Sequence, residues 1–234
     1  MQRHDTASIG ERAEGVAAHT RVVVRPIANP LTYGFLGVAV ATTTVSGLDL
    51  GWIPAREQHD VALVLLAFAF PAQLLSTIYA FLGRDTAVVS GIGLQSVGWL
   101  TFGLLLLTGA PGGRSATAAT FLLAAGAVLL VPACGAALGK VLPAAVITLA
   151  SLRFVLTGLW ERFGGTGWQS AAGWEGMALA AVAFYVALAA ELESVQRRTV
   201  LPLGRHGRGR AAVQGSFDEE VTRLEREPGV REQL

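Results

Sequence analysis

Six long apolar stretches, separated by short polar linkers, dominate the chain between about residues 31 and 203. They cover residues 31–50, 61–82, 87–108, 116–138, 141–160 and 173–191. Because a helix rises about 1.5 Å per residue, about 20 apolar residues cross the ~30 Å hydrocarbon core of a bilayer. The pattern therefore predicts an all-α, polytopic membrane protein in which six transmembrane helices form a bundle.

The composition supports a membrane protein with polar ends. Hydrophobic residues make up 52% of the chain and charged residues 15%, whereas soluble domains carry about 25% charge. We expect a polar N-terminal tail at 1–27, a transmembrane domain at 28–204 and a polar tail at 205–234. In the second tail, Ser216 and Glu219 match a capping box and favour a short amphipathic helix; the alternative is a disordered, solubilising tail.

Basic residues flank the spans unequally. The side that holds both ends of the bundle carries Arg21, Arg25, Arg84, Lys140, Arg197, Arg198, Arg205, Arg208 and Arg210. The other side carries Arg56, Arg114 and Arg162. By the positive-inside rule both termini are predicted to be cytoplasmic. The Arg-, Ala- and Gly-rich composition is typical of a GC-rich bacterial genome, so we expect the protein in the bacterial cytoplasmic (inner) membrane. We expect no nucleic-acid partner.

The spans do not carry the side chains that enzymes and nucleotide-driven pumps need. Every histidine (His4, His19, His59 and His206) lies in a tail or a linker, and Cys134 is the only cysteine. No metal-ligand spacing, Gly-x-Ser-x-Gly elbow or Walker loop is present. The sequence therefore predicts neither an enzyme nor a bound cofactor or metal.

Small and hydroxyl side chains are plentiful inside the spans and have two interpretations. They allow close helix packing, or they line a narrow polar path that includes Thr43, Ser46, Gln73, Ser76 and Gln95. The two glutamines are the strongest candidates for a path, because an amide in hydrocarbon must find partners or water.

Arg153 lies in the fifth span within an otherwise apolar sequence. An arginine near the centre of a membrane helix costs about 2.5–3.5 kcal/mol on insertion scales. Three interpretations are open: it snorkels to the outer interface, it forms an ion pair with Asp49 at the end of the first span, or it attracts an anion into the path. Glu175, which we expect at the interface, is a candidate second partner.

Several segments resemble the acetate uptake transporter family, also called the succinate–acetate transporter family. The matching residues, which span roughly 28–204, are Ala28-Asn29-Pro30 with Gly34 and Gly37, Ala72-Gln73, Trp99, the Lys140 turn, Ala172-Gly173-Trp174, Tyr185 and the segment from Arg198 to Gly204. The resemblance implies six spans, cytoplasmic termini, a hexameric homo-oligomer and a path through each protomer. It also implies a proton-coupled carrier (symport) or channel for small monocarboxylates.

The resemblance also assigns roles along the path. Asn29, Pro30, Gly34 and Gly37 would shape the cytoplasmic entrance. The family narrows its path with an aromatic residue, a tyrosine and a leucine, and the matching positions here are Val38, Gln95 and Leu149. Only the leucine is retained.

Two further departures lie in the outer half, where Asp49 replaces an asparagine and Arg153 an apolar residue. These departures predict a wider and more polar path, so a bulkier or more polar anion is as plausible a substrate as acetate. The expected function is the transport of a small monocarboxylate such as acetate, coupled to protons, with a small carboxylate anion and the lipid bilayer as partners. The alternatives are a passive channel for small neutral solutes or water, and a non-transporting membrane scaffold.

Overall fold

The structure, a computed structural model, describes residues 28–83, 85–207 and 210. Six long helices account for most of this part: α1 (Pro30–Asp49), α2 (Ala55–Leu82), α3 (Thr86–Thr108), α4 (Ala116–Ala137), α5 (Val141–Phe163) and α6 (Thr166–Gln196). Each is long and apolar enough to cross a membrane. The predicted fold class, six membrane-spanning helices in an all-α bundle, is confirmed. The N-terminal tail, Arg84 and the helix predicted around Ser216 lie outside the described residues.

The helix ends differ from the predicted spans where the sequence turns polar. α6 begins at Thr166 and ends at Gln196, whereas its apolar stretch covers only residues 173–191. Hydropathy marks the part of a helix that suits hydrocarbon, but backbone hydrogen bonds continue into the polar layers on both sides. The predicted fifth span, 141–160, places Glu161 in the following linker, and this is wrong for the same reason, because α5 continues to Phe163. The turn is made instead by Gly164 and Gly165, at φ of 71° and 90°, which glycine tolerates.

The helices form a closed ring in sequence order. Each helix packs against the next, and α6 returns to pack along α1, while α3 also approaches α1 and α5 across the ring. Since consecutive helices alternate in direction, α1 begins and α6 ends at the same side of the bundle. We call this side the terminal face and the other the opposite face. A ring of this kind encloses an axis that runs from one face to the other.

Glycines bring α4 and α5 close together. A Cβ added at Gly126 on α4 would lie 2.9 Å from the carbonyl oxygen of Ser151, and one at Gly158 on α5 would lie 3.2 Å from that of Ala119. The Ser151 hydroxyl donates a hydrogen bond of 2.6 Å to the Gly126 carbonyl. Close backbone approach with an interhelical hydrogen bond is the ordinary way in which membrane helices associate without a hydrophobic driving force.

α2 contains a widened turn in its middle. Residues Leu65–Ala69 are π-helical, and the Phe70 amide donates to the Leu65 carbonyl, five residues back. Pro71 follows directly and lacks an N–H for the regular ladder. Single π turns often occur at functional sites, and this one lies just before Gln73.

The chain after α6 folds back across the terminal face as a strap, which we define as residues 198–206. The amides of Val141 and Leu142 at the start of α5 donate to the carbonyls of Gly204 (3.1 Å) and Leu203 (3.3 Å). The Leu203 side chain is 2% exposed. Arg205 forms an ion pair with Glu193 at the end of α6. The Arg198–Gly204 segment, which carries part of the family resemblance, thus satisfies helix-terminal N–H groups that would otherwise lack partners.

Candidate functional site

Four of the residues singled out in the sequence lie at one level of the bundle. Val38 is the ninth residue of α1, Leu149 the ninth of α5, Gln95 the tenth of α3 and Gln73 the tenth from the end of α2. At about 1.5 Å per residue, all four lie about 12–14 Å from the terminal face. Val38, Gln73 and Gln95 are fully buried, and Leu149 is half-buried against the core. We call these four residues the middle layer.

The two glutamines of the middle layer have unused hydrogen-bonding groups. Neither amide of Gln73 and Gln95 has a partner among the described residues. The indole N–H of Trp99, one turn beyond Gln95, is likewise buried and unpartnered within that part of the chain, while its ring packs edge-to-face on Phe154 with centroids 5.5 Å apart. Leaving a buried polar group unsatisfied costs about 1–3 kcal/mol. Buried polar groups of this kind are usually hydrogen-bonded to water or to a bound solute.

Closer to the opposite face, Arg153 is buried and paired. Its Nη2 donates a hydrogen bond to the carboxylate of Asp49, which joins α5 to α1. The side chains are only 1% and 6% exposed, so the guanidinium does not snorkel to the surface. Of the three interpretations left open by the sequence, the structure shows the Asp49–Arg153 ion pair. Nη1 of Arg153 is buried and has no hydrogen-bond partner among the described residues, so the arginine retains donors for a further acceptor.

Ser46 and Glu175 complete a polar cluster around this arginine. A Cβ added at Gly176 on α6 would lie 2.2 Å from Ser46 Oγ and 3.1 Å from Arg153 Nε, which shows how closely the α6 backbone approaches both side chains. Glu175 directly precedes this glycine on α6, next to the point where the helix meets Arg153. Its carboxylate oxygens and the Ser46 hydroxyl are buried and unpartnered within the described ranges. We call Ser46, Asp49, Arg153 and Glu175 the charged cluster.

A cavity near the opposite face reaches one member of the charged cluster, Asp49. It has a volume of about 380 Å³ and is lined by side chains that include Asp49, Phe102, Arg114 and Trp160. We call it the vestibule. A space of this size accommodates a small organic anion, and Asp49 belongs both to its wall and to the charged cluster.

Two residues that lie between the predicted spans, Gln58 and Glu161, form hydrogen bonds to distant parts of the chain near the opposite face. Gln58 donates from Nε2 to the Leu106 carbonyl (2.9 Å) and accepts from the Gly112 amide (3.0 Å). Glu161 accepts a 2.7 Å hydrogen bond from the amide of Ser115, the N-cap of α4. Their hydrophilic character was visible in the sequence, but hydropathy gave no sign that their partners lie about 50 residues away in the chain.

The remaining predicted path residues are divided between the axis and the surface. Asn29 caps α1 through a 3.0 Å bond from the Leu31 amide, close to where Ser76 donates to the Pro30 carbonyl at 2.6 Å. Thr43, in contrast, lies on the exposed face of α1 and donates its hydroxyl to Ala39 of its own helix. The structure does not bring Thr43 to the axis. Its neighbour Thr42 is the buried one, because consecutive residues of a helix point about 100° apart.

Comparison with known proteins gives one informative result. A scan against protein-family models finds none that matches, and a search of curated proteins finds no match either. A search of solved structures finds the bacterial acetate channel SatP, with a TM-score of 0.68 and 23% sequence identity over 76% of this chain and 100% of that one. The chain therefore has the six-helix fold of this acetate channel, in agreement with the resemblance to acetate uptake transporters that its sequence carries.

Proposed function

We propose that this protein is a multi-pass membrane transporter for a small monocarboxylate such as acetate. The observation that carries the proposal is the placement, inside the ring, of buried polar groups that have no partner among the described residues. They occur at two levels, in the middle layer and in the charged cluster, and Asp49 of the second level lies in the wall of the vestibule. The fold of an acetate channel supports the same conclusion.

The direction and the setting of transport belong to the same proposal. We place the terminal face in the cytoplasm of a bacterium and the protein in its inner membrane. Basic residues favour the cytoplasmic side of a membrane protein, and the terminal face carries Lys140, Arg197, Arg198 and Arg205. Transport is driven by protons, and the protein works as a homo-oligomer in which each protomer has its own path. In this arrangement Val38, Gln95 and Leu149 form the constriction, with Asn29 at the cytoplasmic entrance and the vestibule on the outside.

The test is counter-flow in proteoliposomes that contain the purified protein. Vesicles loaded with unlabelled acid are diluted into labelled formate, acetate, propionate, lactate or succinate at two pH values. We expect transient accumulation of at least one of the monocarboxylates, faster at the lower pH. Equal signals from protein-free and protein-containing vesicles for every acid would reject the proposal.

A passive channel for small neutral solutes is the second candidate. It is favoured by the middle layer, where Gln95 and Val38 offer an amide and a small side chain rather than aromatic rings. Stopped-flow swelling of the same vesicles in glycerol, urea or water separates the two functions. A neutral-solute channel accelerates swelling without any response to pH, whereas the monocarboxylate transporter leaves it unchanged. If the vesicles show neither kind of flux, the remaining alternative is a non-transporting membrane scaffold.

A further inference from the structure

The charged cluster holds one cation and two carboxylates. Arg153 uses Nη2 for Asp49, while its Nη1 and both carboxylate oxygens of Glu175 have no partner among the described residues. Arg153 and Asp49 are almost fully buried. The cluster therefore carries an excess negative charge when both carboxylates are ionised, although it still has donors to offer an anion.

The donors of the cluster suit a carboxylate. Nη1 of Arg153 is part of a planar fork that matches the two oxygens of a carboxylate, and the Ser46 hydroxyl adds a donor from α1. The absence of a side chain at Gly176 lets both donors lie against the α6 backbone, since a Cβ there would lie 2.2 Å from Ser46 Oγ and 3.1 Å from Arg153 Nε. The vestibule reaches this cluster at Asp49, the partner of Arg153.

The charge of the cluster decides what must accompany the anion. If an anion alone binds to Arg153, two carboxylates and the anion face one guanidinium in a medium where charges are weakly screened. If a proton binds to Glu175 at the same time, the net charge of the loaded cluster equals that of the empty one. A protonated Glu175 also becomes a hydrogen-bond donor, whereas the ionised form can only accept and repel.

We propose that the charged cluster binds a small carboxylic acid as a separated anion and proton, the anion on Arg153 and Ser46 and the proton on Glu175. The one bond formed is the O–H bond of protonated Glu175: its proton comes from the solution on the vestibule side, and the bond breaks again when the proton leaves with the anion. The inference rests on the proposed transport function and assigns its coupling to residues of this chain.

Among the carboxylates in this half of the bundle, Glu175 is the one that we assign as the proton site. α6 packs against α1 and α5, whose charged side chains in this half are Asp49, Arg153, Glu161 and Arg162. Asp49 accepts the Arg153 hydrogen bond and Glu161 that of the Ser115 amide, so each of these carboxylates already has a donor within the protein. Arg162 is exposed. Glu175 accepts no hydrogen bond from any described residue.

The first experiment uses Glu175→Gln in proteoliposomes, with labelled acetate as the probe. We expect acetate–acetate counter-flow to persist, because exchange needs no net proton movement, while accumulation driven by an inward proton gradient is lost. Glu191→Gln, an exposed position of the same helix, serves as the matched control and retains both activities. A Glu175→Gln variant that keeps gradient-driven accumulation, or one that loses exchange as well, overturns the proposal.

The second experiment separates this inference from the proposed function. Titration calorimetry of the detergent-solubilised protein with acetate, in two buffers of different ionisation enthalpy, counts the protons taken up with the anion. We expect about one proton per acetate in the wild type and none in Glu175→Gln. Arg153→Lys should weaken acetate binding roughly tenfold, as expected for one charge-assisted hydrogen bond, without changing the proton count. Proton uptake with acetate but no transport would reject the proposed transport function and support the charged cluster as the binding site. Acetate binding without proton uptake would reject Glu175 as the proton site.

Discussion

Arg153 of α5 donates a hydrogen bond from Nη2 to the Asp49 carboxylate of α1, two helices that α6 separates in the ring. Removing one partner of a buried pair leaves an uncompensated charge, which costs about 3–5 kcal/mol. We therefore expect Arg153→Met to lower the free energy of unfolding by that amount, Asp49→Asn to lower it less because Glu175 remains in the cluster, and the double variant to lose less than the two together. Thermal or SDS unfolding in detergent measures the coupling.

An exposed ion pair provides the control for this cycle. Arg56 and Glu57 lie 3.6 Å apart with side chains 81% and 46% exposed, and solvent screens such pairs to about 0–1 kcal/mol. Glu57→Gln should therefore change stability little. If the losses of the two cluster variants simply add, Asp49 and Arg153 do not stabilise each other.

The close approach at Gly176 makes a second prediction. In Gly176→Ala the new Cβ would lie 2.2 Å from Ser46 Oγ, so the variant is overpacked and should lose about 1–3 kcal/mol. Ser46→Ala removes the clashing oxygen, and the double variant should regain most of that stability. Unfolding temperatures of the three variants test this. Gly167→Ala on the same helix has nothing within 4 Å and should be neutral or more stable; an equal loss there would attribute the effect to glycine replacement in general.

The strap is anchored by a buried apolar side chain in addition to its backbone hydrogen bonds and its ion pair. Leu203 is 2% exposed, and its truncation to alanine removes contacts worth about 2–5 kcal/mol. We expect Leu203→Ala to release residues 198–206 and to speed trypsin cleavage after Arg205, which is paired with Glu193 in the folded state. Mass spectrometry of timed digests measures the rate. Val200→Ala, at a position 38% exposed, should be cleaved like the wild type.

The membrane spans could be predicted from the sequence because lipid excludes charge, so hydropathy alone locates them. The ends of α2, α5 and α6 could not, since helices continue through the polar layers on backbone hydrogen bonds. The ion pair between Asp49 and Arg153 was predictable for a related reason: two opposite charges in the same half of a membrane domain have few other partners.

The rest of the candidate site depends on which way each helix faces. Thr42, Thr43 and Thr44 are chemically equivalent in the sequence, and only the packing of α1 in the ring decides that Thr42 is buried and Thr43 exposed. Gln58 and Glu161 act through amides of distant loops. Ring packing also brings Gly176 of α6 against Ser46 and Arg153. No local sequence pattern predicts this contact.

The middle layer yields the prediction that separates a path from a packing core. Gln95 is fully buried, and neither its amide nitrogen nor its oxygen has a partner among the described residues. If the residue serves only the fold, its unsatisfied amide lowers stability by about 1–3 kcal/mol, and leucine, which has a similar volume, should relieve that cost. A substitution that raises the free energy of unfolding but lowers activity is expected where a residue is kept for function although it destabilises the fold.

Gln95→Leu should therefore unfold at a higher temperature than the wild type and transport acetate more slowly, because an apolar constriction dewets. Both quantities are measured on one preparation, by thermal unfolding in detergent and by counter-flow after reconstitution. Val97→Leu, at an exposed position of the same helix, controls for added bulk and should change neither. A Gln95→Leu variant that is more stable and equally fast would remove Gln95 from the path. One that is less stable would show instead that the glutamine has a structural partner, such as a bound water, in the folded protein.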